Sequence, residues 1–382
     1  MSTLKIAVLG AGMVGRTMAL DLASAHAITS FDLSEENLKT LKTRNPQITT
    51  ERKDLMDFSS YTDFLKPFDL VINAVPGFMG FRALQAIIVA QRNCADISFF
   101  SENPLDLQEL AVQRGVTVIT DCGVAPGMSN LILGHMNSET HVDSFECYVG
   151  GLPRYPQPPF FYKAPFSPID VIEEYVRPCK MVEGGKLVIK EALSEREFLR
   201  FPGIDVELEA FNTDGLRTLV HTMKHIPDMK EKTLRYKGHI DIIVALKQSG
   251  FFSEKPCTVK GSTIVPLALT SQLLLDQWKL GPEEEEITVL RVIIREGGRE
   301  HTWDLVDIYD KSTQLSSMSR TTGYTCTAAA ELILQQKFST PGIFPPELIG
   351  ATAAHFNFIT EYLSKRGVKW SYVVKKLPPS VN

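Results

Sequence analysis

Residues 4–9 read Leu-Lys-Ile-Ala-Val-Leu and run directly into Gly10-Ala11-Gly12-Met13-Val14-Gly15, after which Arg16 to Ala25 carry apolar residues at helical spacing. A continuous apolar run of this length suits a strand buried on both faces. Three glycines between such a strand and a helix leave the chain few options. Gly10 permits the tight exit from the strand, Gly12 lacks a Cβ so that the backbone can be approached closely, and Gly15 lets the helix lie against the sheet. A second run, His26 to Phe31, ends in Asp32, 22 residues after Gly10. Together these features predict a βαβ unit whose helix N-terminus favours an anion, with an acid placed for a ribose hydroxyl. The reading is a dinucleotide site built from Gly10, Gly12, Met13, Val14, Gly15 and Asp32. A carboxylate at Asp32 repels a 2′-phosphate, which favours NAD over NADP; Lys39, Lys42 and Arg44 are near enough in sequence to soften that preference.

The rhythm continues. Asp69 to Pro76 reads as a buried strand entering a turn, which places Asn73, Ala74, Val75 and Pro76 at a strand's carboxyl end, where open α/β sheets bind ligands. Phe81 to Asn93 has helical periodicity, and Cys94–Ser98 and Val116–Asp121 read as further strands. Asp54, before a helix at 60–66, is a candidate adenine contact or a solvated loop acid. The N-terminal fold class is therefore α/β, a Rossmann doubly wound parallel sheet.

A chain of 382 residues exceeds the size at which one core stops growing, so two domains are expected. Forty basic against 45 acidic side chains give a formal charge of −5, which offers no footprint for nucleic acid or a membrane surface. The six cysteines form no C-x-x-C pair, so neither zinc nor redox chemistry is indicated. Scattered thiols and the lack of a signal-like or spanning run place the chain in the cytoplasm. His221 and His225 are four apart on an expected helix, but the acid of H-E-x-x-H is missing and no metal is expected.

Beyond Gly127 the pattern changes to alternating strands, Ser144–Val149, Thr288–Glu296 and Thr302–Tyr309, with a proline-crowded loop from Pro153 to Pro168. The acidic run Glu283–Glu286 reads as a solvated turn. Asp121-Cys-Gly-Val-Ala-Pro-Gly-Met-Ser-Asn130 after such a sheet resembles the signature of the saccharopine dehydrogenase family. The likeness continues through Tyr148–Pro153, Phe166-Ser167, Glu174–Pro178, Phe211–Thr218 and Leu234–His239. Ala125 replaces an acid usual in the glutamate-forming reductases, and Asn130 stands where they tend to carry histidine. Within the family these segments look most similar to the lysine 6-dehydrogenase branch. The resemblance implies a discontinuous architecture: a dinucleotide-binding domain over 1–125 completed by 321–382, and an α+β substrate and dimerisation domain with a mixed sheet over 126–320, in a homodimer. It also implies an NAD(P)-dependent oxidation of an amino-acid side-chain amine, lysine or a relative. Reductive condensation of an aldehyde with an amino acid is the alternative, and a non-catalytic NAD-binding sensor is the alternative of another class.

Hydride transfer from an amine requires a proton acceptor and a hold on the substrate carboxylate. Asp121, at a strand's carboxyl end, is the first candidate for the proton; hydrogen bonding to the Gly123–Gly127 turn is its structural alternative. Arg235 is the preferred carboxylate anchor because a guanidinium bonds a carboxylate through two parallel N–H groups, with a surface ion pair as its structural alternative. His239 has the range for a proton relay and equally suits a structural role at a helix start. Arg217 is a further candidate carboxylate ligand, although Asn212 or Thr213 capping a helix over 215–224 explains that segment without any substrate. Tyr148 and Ser167 are lesser candidates for substrate contact, and Arg320 and Thr322 lesser still.

Overall fold

The computed structural model describes residues 3–164, 168–281 and 284–378. It divides into two compact units: 1–142 with 217–224 and 319–369, and 143–216 with 225–318 and 370–382.

Among the described residues the first unit holds a seven-stranded parallel sheet. Its strands are β1 (Lys5–Leu9), β2 (Ala27–Asp32), β3 (Thr49–Arg52), β4 (Leu70–Asn73), β5 (Asn93–Asp96), β6 (Thr117–Ile119) and an outer strand, Gly342–Phe344. From one edge the order is Gly342–Phe344, β6, β5, β4, β1, β2, β3, with every pair parallel. The order reverses direction between β1 and β4, the switch point at which such sheets open a crevice at the strands' carboxyl ends. Burial explains why these strands are apolar throughout: Ile6, Ala7, Val8 and Leu9 of β1 and Leu70, Val71 and Ile72 of β4 are inaccessible to solvent. The helix Met13–Leu22 packs its Gly15, Met18, Ala19 and Leu22 face inward. Helices Gly77–Val89, Met128–Glu139, Ser317–Leu334 and Ala353–Lys365 are the longer remaining helices, the third entering the unit from Ser319 onward.

The second unit is a mixed sheet. From one edge it runs Glu197–Leu199, Leu208–Asn212, Asp228–Tyr236, Ser144–Pro153, Glu286–Glu296, Arg299–Ile308, Ser371–Lys376. The pairing of Asp228–Tyr236 with Ser144–Pro153 is parallel, and its neighbours are antiparallel. Cys179–Glu183 branches off Asp228–Tyr236 and pairs with Lys186–Lys190. One apolar cluster gathers Tyr162, Val171, Tyr175, Phe211, Ile240, Ile243 and Trp278. Another gathers Tyr148, Leu152, Leu208, Leu234 and Val289.

The units divide elsewhere than the expected boundaries 125 and 321. The helix Met128–Glu139 stays with the first unit, and the segment 217–224 joins it from the middle of the chain. The last strand, Ser371–Lys376, pairs with Arg299–Ile308, so the stretch after 369 belongs to the second sheet instead of completing the first. The expected helix over 215–224 shortens to one turn, Leu219–Thr222, because Arg217 sits at φ +51° and breaks the helical path. Nor does Asn212 or Thr213 cap it. Asn212 donates to Ser194 Oγ and Glu195, and Thr213 Oγ donates to Glu231. The acidic turn is also corrected at one end: Glu286 is inaccessible to solvent, opens a strand, and accepts the Met318 N–H at 3.0 Å and the Ser317 hydroxyl. No helix among the described residues is long and apolar enough to cross a membrane.

Candidate active site

The glycine turn follows β1. At Gly10, φ +107°, a Cβ would stand 2.5 Å from the Ala74 carbonyl oxygen, and at Gly15 it would stand 2.1 Å from that of Gly10. Both clashes are with backbone, so the first helix seats against β1 and β4 only with glycine there. Gly12 differs: it is exposed, and a Cβ there would meet nothing within 4 Å. It immediately precedes the helix Met13–Leu22, whose first turn carries no acid. A glycine-lined, unobstructed helix start with no acid in its own first turn fits a pyrophosphate. Asp32 closes the turn from β2: its Oδ2 accepts the Ala11 N–H at 2.7 Å and its Oδ1 the Ser34 N–H at 2.7 Å. Arg52, the register partner of Asp32 on β3, is exposed and bonds the Leu33 carbonyl oxygen and Glu35. Asp54 is exposed and accepts the Met56 N–H. These residues would hold the dinucleotide.

At the carboxyl ends of the next strands, Asn73 and Asp96 are register partners, both inaccessible to solvent. The turn Asn73-Ala74-Val75-Pro76 leads from β4 into the helix Gly77–Val89, and the Ile97 N–H donates to the Asn73 carbonyl oxygen at 3.0 Å. Burial pushes the Asp96 carboxyl up to about 7, against the opposing pull of the Ser98 N–H and the Asn73 amide; Asp121 adds to the upward push. The Ser98 N–H reaches Asp96 Oδ1 at 2.6 Å, and the Ser98 hydroxyl donates to the Val75 carbonyl oxygen at 3.0 Å. This crosslink fixes the segment Ser98-Phe99-Phe100 beside the strand ends.

Asp121 lies two residues past β6, at φ +53° and 2% exposed. Its side chain does not bond the Gly123–Gly127 turn. Instead Arg217 Nη2 donates to Asp121 Oδ1 at 2.9 Å, and Nε reaches the same oxygen at 3.3 Å. Arg217 Nη1 donates to the Phe100 carbonyl oxygen, and the guanidinium lies 5.0 Å from the Phe99 ring and 5.1 Å from that of Phe100. The side chains of this ion pair are 5% and 0% exposed. Asp121 Oδ2 is buried and accepts no hydrogen bond from the described residues. A charged pair removed from water normally has its lone pairs filled, so an open carboxylate oxygen marks a place for a donor.

Arg235 and His239 come together in the second unit. Arg235 is 1% exposed; Nη2 donates to Glu174 Oε2 at 2.8 Å and Nε to the Tyr175 hydroxyl at 3.2 Å, and its guanidinium lies 4.4 Å from the Tyr162 ring centroid. His239, the first residue of the helix His239–Gln248, bonds the Tyr175 hydroxyl at 2.9 Å and the Phe160 carbonyl oxygen at 2.8 Å. Burial, with the Arg235 charge beside it, lowers its imidazole to about 3. The arrangement fills the primary hydrogen-bonding directions of both residues inside the protein. Tyr148 donates to Glu146 at 2.6 Å on the second sheet. Ser167 lies outside the described residues. His221 sits on the single turn Leu219–Thr222 and His225 beyond it, so no shared helical face is formed; no group of three metal-ligating side chains occurs among the described residues.

Sequence reading missed Asp96, Ser98, Phe99 and Phe100. The signal was present: an acid closing a parallel strand adjacent to the switch point.

Two family models account for most of the chain. The saccharopine dehydrogenase NADP binding domain matches residues 6–119, and the saccharopine dehydrogenase C-terminal domain matches 123–368. An alpha-aminoadipic semialdehyde synthase of Arabidopsis thaliana is 26% identical over 307 residues, covering 70% of this chain and 29% of that protein. The saccharopine dehydrogenase [NADP(+), L-glutamate-forming] of Schizosaccharomyces pombe is 24% identical over 374 residues, 77% of this chain and 82% of that one. The chain thus spans under a third of the plant relative and most of the yeast one. The apo saccharopine dehydrogenase (L-Glu forming) of Saccharomyces cerevisiae has the same fold, at TM-score 0.78 and 20% identity over 97% of this chain and 100% of that one. Two of these three relatives carry the saccharopine dehydrogenase name, and none of the three is named as a lysine 6-dehydrogenase. With a glycine-turn sheet, a buried Asp121–Arg217 pair and both family models aligned in order along it, the chain belongs to the saccharopine dehydrogenase family.

Proposed function

We propose that the chain is an NAD(P)-dependent oxidoreductase acting on the C–N bond of an amino-acid-derived secondary amine, with reductive condensation of an aldehyde and an amino acid as the reverse reaction. The observation that carries this reading is the open Oδ2 of Asp121, held beside Arg217 at the carboxyl edge of the parallel sheet. When bound, the nicotinamide would supply the hydride acceptor or donor; water from solvent then cleaves the oxidised C=N bond to aldehyde and amino acid, and is released in the reverse direction. Asp121 Oδ2 takes the proton from the substrate nitrogen, and Arg217, fixed by Asp121 and the Phe100 carbonyl, directs its remaining N–H groups to a substrate carboxylate. Phe99 and Phe100 keep water from the guanidinium, which strengthens both interactions. Asp32, closing β2 beside the glycine turn, supports NAD, because a carboxylate on the ribose would repel a 2′-phosphate; the exposed Arg52 opposes that preference. A homodimer is part of this reading, measured by light scattering of the eluting protein.

The test is the absorbance of reduced cofactor when the protein is mixed with saccharopine, or separately with L-lysine, and either NAD or NADP. Turnover of saccharopine supports the proposal. Turnover of L-lysine alone would favour the primary-amine reading that Ala125 and Asn130 suggest. Tight cofactor binding without turnover of any amine would leave a non-catalytic sensor in its place.

A further inference from the structure

Arg217 reaches Asp121 from a short piece of chain, residues 217–224, that enters the first unit from far along the sequence. It does so in the left-handed backbone region, at φ +51°, a conformation that persists only where neighbours over-determine it. On its far side the segment is held by a carboxyl group. Glu347, on the short helix Pro346–Gly350, is inaccessible to solvent. Its Oε1 accepts the Thr222 hydroxyl at 2.7 Å and its Oε2 the Asn130 side-chain amide at 3.1 Å.

The platform beneath Glu347 is rigid. A Cβ at Gly134 would lie 2.0 Å from the Glu347 carbonyl oxygen, and one at Gly350 would lie 2.2 Å from that of Leu131. The helices Met128–Glu139 and Pro346–Gly350 therefore meet backbone to backbone, and the carboxyl has no freedom to follow a moving turn. A position buried this deeply ordinarily takes an apolar side chain; a carboxyl is stable there because side-chain donors from Thr222 and Asn130 converge on it. One of those donors, Thr222, ends the turn that immediately follows Arg217.

We infer that Glu347 is a positioning residue: by fixing the Thr218–Thr222 turn it sets the guanidinium of Arg217 against Asp121. The inference rests on the reading of Asp121 and Arg217 as the reacting site, and the test separates the two. Glu347→Leu, Glu347→Gln and Thr222→Val are compared with Arg217→Met, using saccharopine with NAD and NADP, cofactor affinity from the fluorescence of reduced cofactor, and hydrogen exchange of the peptide spanning 217–224. Glu347→Leu is expected to raise KM for saccharopine about tenfold or more while leaving cofactor affinity within about twofold. Glu347→Gln, which keeps an acceptor for Thr222, is expected to stay within about threefold of the parent. On an Arg217→Met background Glu347→Leu is expected to add less than about twofold, since residues acting through one another are not additive. Exchange of 217–224 should quicken in Glu347→Leu and in Thr222→Val. The inference is overturned by full additivity with Arg217→Met, by equal losses in cofactor and substrate binding, or by unchanged exchange in folded Glu347→Leu and Thr222→Val. If Arg217→Met retains full activity, the assignment of the reacting site fails instead, while the exchange result still decides whether Glu347 holds the turn. Should Glu347→Leu not fold, Thr222→Val alone decides between quickened and unchanged exchange.

Discussion

Replacing Glu231 with glutamine will change how the second unit responds to pH. Glu231 is 5% exposed on the strand Asp228–Tyr236. Burial pushes its carboxyl up to about 8; Glu174 and Asp214 push the same way, and the Thr213 hydroxyl and Gly215 N–H oppose them. In the unfolded chain the same group titrates near 4.3, as an ordinary glutamate does. Between those values the unfolded chain releases its proton and the folded chain keeps it. The unfolded state then binds fewer protons, so stability falls as pH rises, at about 1.4 kcal/mol per pH unit. The contribution is fully present below the unfolded value and gone above about 8, a loss on the order of 3 to 5 kcal/mol across the window. Glutamine does not titrate. The variant should therefore match the parent near about pH 5 and exceed it by several kcal/mol near about pH 8. All three tryptophans, Trp278, Trp303 and Trp370, belong to the second unit, so urea unfolding followed by their fluorescence reads the unit concerned. Taking the difference between parent and variant cancels the other buried acids. A difference that stays flat with pH, or shrinks toward alkaline pH, would refute the argument that burial keeps Glu231 protonated.

Three further outcomes are expected. Asp121→Asn leaves the Arg217 guanidinium buried without its counter-charge; a loss of about 3 to 5 kcal/mol in the first unit, measured by calorimetry, accompanies at least about a hundredfold fall in turnover. A melting temperature equal to the parent's would contradict the pairing. Gly15→Ala drives a Cβ into the Gly10 carbonyl oxygen, and reduced-cofactor binding followed by fluorescence should be lost. Asp32→Ser removes the carboxylate proposed to face the 2′ position, and the ratio of NADP to NAD turnover should rise about tenfold; an unchanged ratio would mean that Asp32 serves only the Ala11 and Ser34 N–H groups.

The parallel sheet was readable because buried parallel strands are continuous apolar runs, and because Gly10 and Gly15 have backbone directly behind them. The single turn after Arg217 was not readable. Its residues have ordinary helical propensity, and what breaks the helix is an ion pair formed with a residue 96 positions earlier. The same holds for Glu286 and Glu347. Local sequence marks an acid as a surface residue, and only tertiary neighbours, Met318 and Ser317 in one case and Asn130 and Thr222 in the other, turn it inward. Arg235 was singled out for its guanidinium, yet Glu174, which accepts one of its N–H bonds, lies 61 residues away and has no pattern connecting it to Arg235.

The borrowed octapeptide 217–224 also constrains the order of events during synthesis. A ribosome that has released the first 142 residues has made six parallel strands, but the cation for Asp121 and the outermost strand, Gly342–Phe344, have not yet emerged. The nascent domain must wait with an uncompensated interior carboxylate and an open sheet edge, conditions under which chaperone capture and edge-to-edge association are favoured. Its maturation is thus tied to synthesis through residue 344.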